Sequence, residues 1–101
     1  MKKLGNLIIF GDKWDIFERD MSLEDYCGRC YYDKKELHIH NEYKESNPIF
    51  LETVLHEYFH ALFRRMSYYQ SIPHALEEVM VDQISKSLTE NFKISLKNKS
   101  K

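Results

Sequence analysis

From Ile49 to about Ser67 the chain runs without a glycine or proline, and this stretch constrains the rest. Ser46-Asn47-Pro48 precedes it, an N-cap candidate followed by proline at the first helical position, where a missing N–H costs nothing. Leu55, Phe59, Leu62 and Met66 recur at the 3.6-residue period, while Val54, Tyr58 and Ala61 lie on nearly the opposite side. A helix over 47–67 is therefore apolar around most of its circumference, and such a helix belongs in the middle of a domain. Yet His56, Glu57 and His60 interrupt it as H-E-x-x-H. Polar groups of this kind are costly to bury without partners, so the fold must supply some.

Residues four apart lie one above the other on a helix face, so His56 and His60 can present two imidazoles to one metal ion. Glu57, one step round, can reach a water held by that metal. This is the ligand-and-base pattern of zinc-dependent hydrolysis. Such a site needs a third protein ligand. The second helical stretch, from Pro73 to about Glu90 or Asn91, contains Glu77, Glu78 and Asp82. Glu78 and Asp82 share a face, which suits Glu78 as the third ligand and Asp82 as the group fixing a ligand histidine's tautomer. Glu77, nearer the apolar stripe of Leu76, Met80, Ile84 and Leu88, is a rival ligand. Acidic residues early in a helix also suit its dipole, with no metal involved. The short link from Tyr68 to Ile72 makes the two helices antiparallel neighbours and returns the second toward His60.

H-E-x-x-H followed by E-x-x-x-D on the next helix resembles the gluzincin class of zinc metallopeptidases. Within it, Glu36 to Leu88 is similar to the small ImmA/IrrE-type domains of phages, mobile elements and bacterial regulators. Their second motif, E-x-x-A-N-x-F-A, aligns with Glu78-Val79-Met80-Val81-Asp82-Gln83-Ile84-Ser85, departing at Val81, Asp82 and Ser85. The resemblance implies one zinc ion on His56, His60 and Glu78, Glu57 as general base, and a specific protein target such as a phage or mobile-element repressor. Met1-Lys2-Lys3 before Leu7–Phe10 has the look of a signal peptide, but the apolar run is too short and Asp12 and Lys13 interrupt it, so the compartment expected is the cytoplasm, of a bacterium or of the host cell of a phage. An inactive zinc-binding interaction module is the alternative from another class, and a metal-free helical protein a third.

The remaining sequence bounds these readings. At 101 residues, 43% apolar and with only three glycines and two prolines, the chain makes one folded domain. A net charge of −1 indicates neither nucleic acid nor membrane as partner, and no apolar run reaches spanning length. Leu7–Phe10 suits a buried strand, and Trp14, Ile16 and Phe17 suit either a strand or a helical turn. Glu18 to Asp25 reads as a loop or short helix. Cys27–Tyr32 and Glu36–His40 flank Asp33-Lys34-Lys35 as a hairpin, with Leu37 and Ile39 inward and His38 and His40 toward solvent. Cys27 and Cys30 form a lone C-x-x-C, expected to be reduced structural thiols. His74, Tyr68 and Tyr69 are candidates for steadying an oxyanion, and Lys93, Lys97, Lys99 and Lys101 mark a frayed, solvated tail. The fold class expected is α+β: a small N-terminal antiparallel sheet over 1–45, the H-E-x-x-H helix, a second ligand-bearing helix over 73–91, and a basic tail. An extended peptide would add to the sheet edge beside Glu36 to His40.

Overall fold

The structure, a computed structural model, describes residues 1–42, 47–66 and 71–100. Strands β1 (Lys2–Ile9), β2 (Asp12–Arg19), β3 (Gly28–Tyr31) and β4 (Glu36–His40) are followed by helices α1 (Pro48–Arg65) and α2 (His74–Asn91) and a short β5 (Asn98–Lys99). The class is α+β, with the helices packed on each other and α1 on the sheet. Phe10 and Gly11, both with positive φ, make the two-residue turn between β1 and β2. This settles Trp14, Ile16 and Phe17 as strand, and Glu18 and Arg19 end that strand rather than beginning a loop.

The sheet order is β3-β4-β2-β1-β5. It is mixed rather than wholly antiparallel, because β2 and β4 pair in parallel, with Ile16 opposite Leu37. The chain leaves β2, crosses the loop at 20–27, and lays β3 outside β4 as the far half of the expected hairpin. β4 is thus bonded along both edges, so no peptide can add beside Glu36 to His40; among the described residues, the outer edge at this end belongs to β3. Leu37 and Ile39 are fully buried beneath α1, as their alternation requires, each stabilising the fold by roughly 1.5–3 kcal/mol.

The other face of β4 holds a surprise. His38 is not solvent-facing but 5% exposed, accepting at Nδ1 from Arg19 Nε at 2.7 Å, with Glu36 at 3.0 Å from Nε2. His40 accepts from the Met21 backbone N–H at 3.0 Å. His40 ties down the segment after β2, which buries Met21 to 1%, while His38 is covered by Phe17 and Arg19 of β2 and Tyr31 of β3. Alternation predicts the face on which they lie, and the side chains of the flanking strands, with the segment after β2 at His40, cover that face.

Asn47 caps α1, its side chain accepting from the Ile49 N–H, with Pro48 at the first position as expected. Ser46 lies outside the described residues. Val54 and Ala61 face the sheet core with Leu4, Trp14, Ile16, Leu37 and Ile39. Leu55 is buried too, whereas Met66, at the end of the expected apolar stripe, is exposed. Pro73 stands one place before α2, at its cap, not inside it. As α2 advances from Glu77 through Asp82 to Lys86, its electrostatic neighbours on α1 step back from His60 through His56 to Glu52, so the helices run antiparallel. The face α2 buries carries Glu77, Val81 and Ser85; Leu76 and Ile84 of its apolar stripe are exposed. The tail is not frayed at 98–99: β5 pairs with β1 at Gly5 and Asn6, and Leu96 packs on the core. Among the described residues, no helix is long and apolar enough to cross a membrane.

Candidate metal centre

His56 and His60 sit on the flank of α1 that faces α2. Their Nε2 atoms are 3.2 Å apart. Glu78 reaches across from α2, with Oε1 3.1 Å from His60 Nε2 and Oε2 3.5 Å from His56 Nε2. Ligand atoms at about 2.0–2.1 Å on the corners of a tetrahedron stand roughly 3.3–3.4 Å apart. The two imidazoles stand at about that spacing, each faces a different oxygen of Glu78, and one ligand atom from each of the three residues lies within 4.8 Å of the others, so the group could hold one metal ion. His56, His60 and Glu78 are the group of metal-ligating side chains, among the described residues, that could hold a metal ion.

The electrostatics prepare the same arrangement. Burial, and then the neighbouring His60, hold the His56 imidazole below its ordinary pKa, so it stands neutral with a lone pair to give. His60 is oriented by Glu77, whose Oε2 is 2.7 Å from Nδ1 with both side chains buried. A proton on Nδ1 shared with this carboxylate leaves the Nε2 lone pair directed at the common centre. The sequence offers Glu77 as a rival ligand and Asp82 as the orienting group. In the structure Glu77 makes the orienting bond, while Asp82 is half-exposed and paired with Lys86 at 3.1 Å. Glu77, Val81 and Ser85 recur every four residues, so the buried line was present in the sequence, masked by a more apolar one beside it.

Glu57 shares a cleft of about 270 Å³ with His56, His60, Glu78, Cys30 and Tyr32. It is 8% exposed, and burial, with the charge of Glu78 behind it, pushes its carboxyl up to about 7. One wall is β3, which comes close because residue 28 is glycine. A Cβ there would stand 2.7 Å from Thr53 Cγ2 and 3.1 Å from Glu57 Cγ, closer than packed carbons allow. Sequence reasoning missed Gly28, since the contact joins residues far apart in the chain.

The other candidates divide. His74 lies at the mouth of the cleft, 83% exposed, its Nε2 3.7 Å from Glu78 Oε1. Tyr68 and Tyr69 fall outside the described residues. Cys27 and Cys30 are free of disulfide. Burial raises the Cys30 thiol to about 12, so it stays protonated beside the cleft. The chain matches no family model, no curated protein and no solved structure.

Proposed function

We propose that the chain is a zinc-dependent peptidase acting on an extended segment of a specific protein. The observation that carries the reading is the convergence of His56, His60 and Glu78, whose ligand atoms lie within 4.8 Å of one another, with the Glu57 carboxyl buried in the same cleft. A bound zinc ion would supply Lewis acidity toward a peptide carbonyl and make a water acidic enough to attack near neutral pH. Glu57 accepts the proton of the attacking water and passes it to the leaving nitrogen. Its low exposure keeps bulk water from competing for that proton. Glu77 keeps His60 in the ligating tautomer throughout.

The substrate backbone pairs with the free edge of β3, the strand whose Gly28 abuts Glu57. That edge lies beside the cleft, which β4 does not offer. The sequence resemblance extends the proposal to a regulatory target of the phage or mobile-element repressor kind, and against it stands the zinc-bound module that cuts nothing.

The test uses untagged protein with its metal content measured beside turnover of a degenerate quenched-fluorescence peptide library. The wild type should bind one zinc per chain and cleave. Glu57→Gln should keep the zinc and lose at least about a hundredfold in turnover. A zinc-filled wild type that cleaves nothing establishes the binding module instead, and undiminished turnover in Glu57→Gln removes Glu57 from its role.

A further inference from the structure

The metal cleft is also lined by two residues with no part in the chemistry so far, Tyr26 and Arg29. Their side chains form one unit. The Arg29 guanidinium lies over two rings, 5.5 Å from the centre of Tyr26 and 4.9 Å from that of Tyr31. One of its nitrogens donates to the Tyr26 hydroxyl at 2.8 Å. A surface arginine free to sample many rotamers gains little by pairing, whereas one held against two rings and a hydroxyl keeps its remaining donors aimed. Its charge is unanswered: among the described residues no carboxylate forms an ion pair with Arg29. Glu24 is close enough to feel that charge and hydrogen-bonds to Tyr26, but Arg19 already holds both of its oxygens, at 2.6 and 3.2 Å. Lys34, 5.4 Å from the centre of the Tyr31 ring, adds a second cation to the same strand wall.

The hydrogen-bond phase of β3 decides what can meet this group. The His40 N–H donates to the Cys27 carbonyl at 2.8 Å, and the register continues with Arg29 opposite His38. Residues 27, 29 and 31 therefore direct their backbone groups to β4, and Gly28 and Cys30 turn theirs to the outer edge. An extended peptide laid antiparallel at that edge bonds to Gly28 and Cys30. Its residue opposite Arg29 then falls at a non-hydrogen-bonded position, where facing Cα atoms approach to about 4.5 Å and side chains are closest. Side chains alternate along a strand. Residues opposite Gly28 and Cys30 project to the side of Glu57, and the one between them projects to Arg29.

We propose that Arg29 selects the substrate by a carboxylate, received between Tyr26 and Tyr31 next to the scissile bond. The assignment rests on the peptidase reading and on pairing at β3. Two sources share this chemistry: a Glu or Asp side chain opposite Arg29, and the terminal carboxylate of a chain that ends there.

Acetylated hexapeptide libraries, each fixing Glu, Gln or Lys at one position and made with either an amidated or a free C-terminus, test it. Turnover by the wild type is read beside amide NMR of Gly28, Arg29 and Cys30 in the zinc-loaded protein. Among amidated peptides, kcat/KM should be about tenfold higher for Glu than for Gln at one position next to the cut, the worth of a charge-assisted hydrogen bond. The positions on either side of it should show no such preference. Arg29→Glu should reverse the preference to favour Lys, which loss of a merely structural arginine would not do. Tyr26→Phe, which removes the hydroxyl that holds the guanidinium, should reduce the preference to about threefold. A preference that appears only with free C-termini assigns the terminal carboxylate as the group bound. Equal turnover of Glu and Gln peptides with either terminus, or a Glu preference that survives Arg29→Glu, overturns the assignment and leaves the peptidase reading standing. If the wild type cuts nothing, binding decides. Amide shifts that saturate at lower concentration with Glu than with Gln peptides, and reverse in Arg29→Glu, keep the carboxylate site without the peptidase. Shifts without that preference, or no shifts, overturn both.

Discussion

Helices α1 and α2 are each 18 residues long, and both carry apolar residues at helical spacing, yet they settle against the molecule in opposite ways. α1 places Val54 and Ala61 on the sheet and still buries Glu57 and His60 along one flank. α2 touches α1 and turns inward a face on which Glu77 and Ser85 stand beside Val81, leaving Leu76 and Val79 about half exposed, at 50% and 51%. Exposing those two side chains forgoes of order 1 kcal/mol apiece. What α2 gains is the 2.7 Å contact between Glu77 and His60 and the approach of Glu78 to both imidazoles. The comparison teaches that α1 is oriented by the core and α2 by the polar site it completes.

If so, removing the polar contact should cost more than disturbing the apolar stripe. The largest effect is expected from His60→Ala, which removes a ligand and leaves Glu77 buried without its partner. Metal content should fall to background, and the urea midpoint should report a loss of about 3 kcal/mol. A variant as stable as the wild type would show that Glu77 does not anchor α2.

The flank of α1 should be legible in the pH dependence of the metal-free protein. Glu57 has a folded pKa of about 7, above the ordinary value of 4.5, so the folded state keeps a proton that the unfolded chain loses. Its contribution to stability is complete below pH 4.5 and is lost as pH rises through 7, in total about 3 kcal/mol by linkage. His56, held below its ordinary value, works in the opposite sense as pH falls. The informative quantity is therefore the difference between wild type and Glu57→Gln, measured by urea unfolding in EDTA at pH 5 and pH 8. The variant should gain on the wild type at pH 8, and equal differences at the two pH values would contradict a buried, protonated Glu57.

Glu77→Gln keeps the shape and the hydrogen bond to His60 but removes the charge, and zinc affinity should drop about ten- to a hundredfold in a chelator competition. An unchanged affinity would return Glu77 to the ordinary role of an acidic residue early in a helix. The smallest effects separate the two faces of α2. Val81→Ala, at a fully buried position, should cost about 2 kcal/mol, and Leu76→Gln should change stability by no more than about 0.5 kcal/mol. A large loss from Leu76→Gln would mean that the stripe is covered in solution.

Much of this was legible before the fold. Asn47 and Pro48 start α1 where capping chemistry puts them. H-E-x-x-H stacks its histidines because a helix repeats every 3.6 residues. The hairpin around Asp33-Lys34-Lys35 and the inward pair Leu37 and Ile39 follow from turn residues and alternation. Each of these depends on residues within one or two turns of each other. The misreadings of burial and edge involve partners far away in the chain. Lys97 and Lys99 read as a loose tail because nothing nearby shows that β1 has an open edge, or that Gly5 leaves room for Asn98. His38 reads as solvated because Phe17, Arg19 and Tyr31, which cover it, stand on the two strands that flank β4 only in the assembled sheet.

From sequence alone came the α+β class, the central helix with its two stacked imidazoles, and a carboxylate on the next helix to complete a cation site. Periodicity shows which face of a helix is apolar, because that is a property of the helix itself. It does not show which face is buried, because burial also depends on what the helix meets. Tertiary structure alone decided that Glu77 would orient His60, that α2 would turn its polar face inward to permit this, and that β3 would reach Glu57 through Gly28. Those contacts join residues 17 or more apart, where chain geometry imposes no relation and only the assembled packing does.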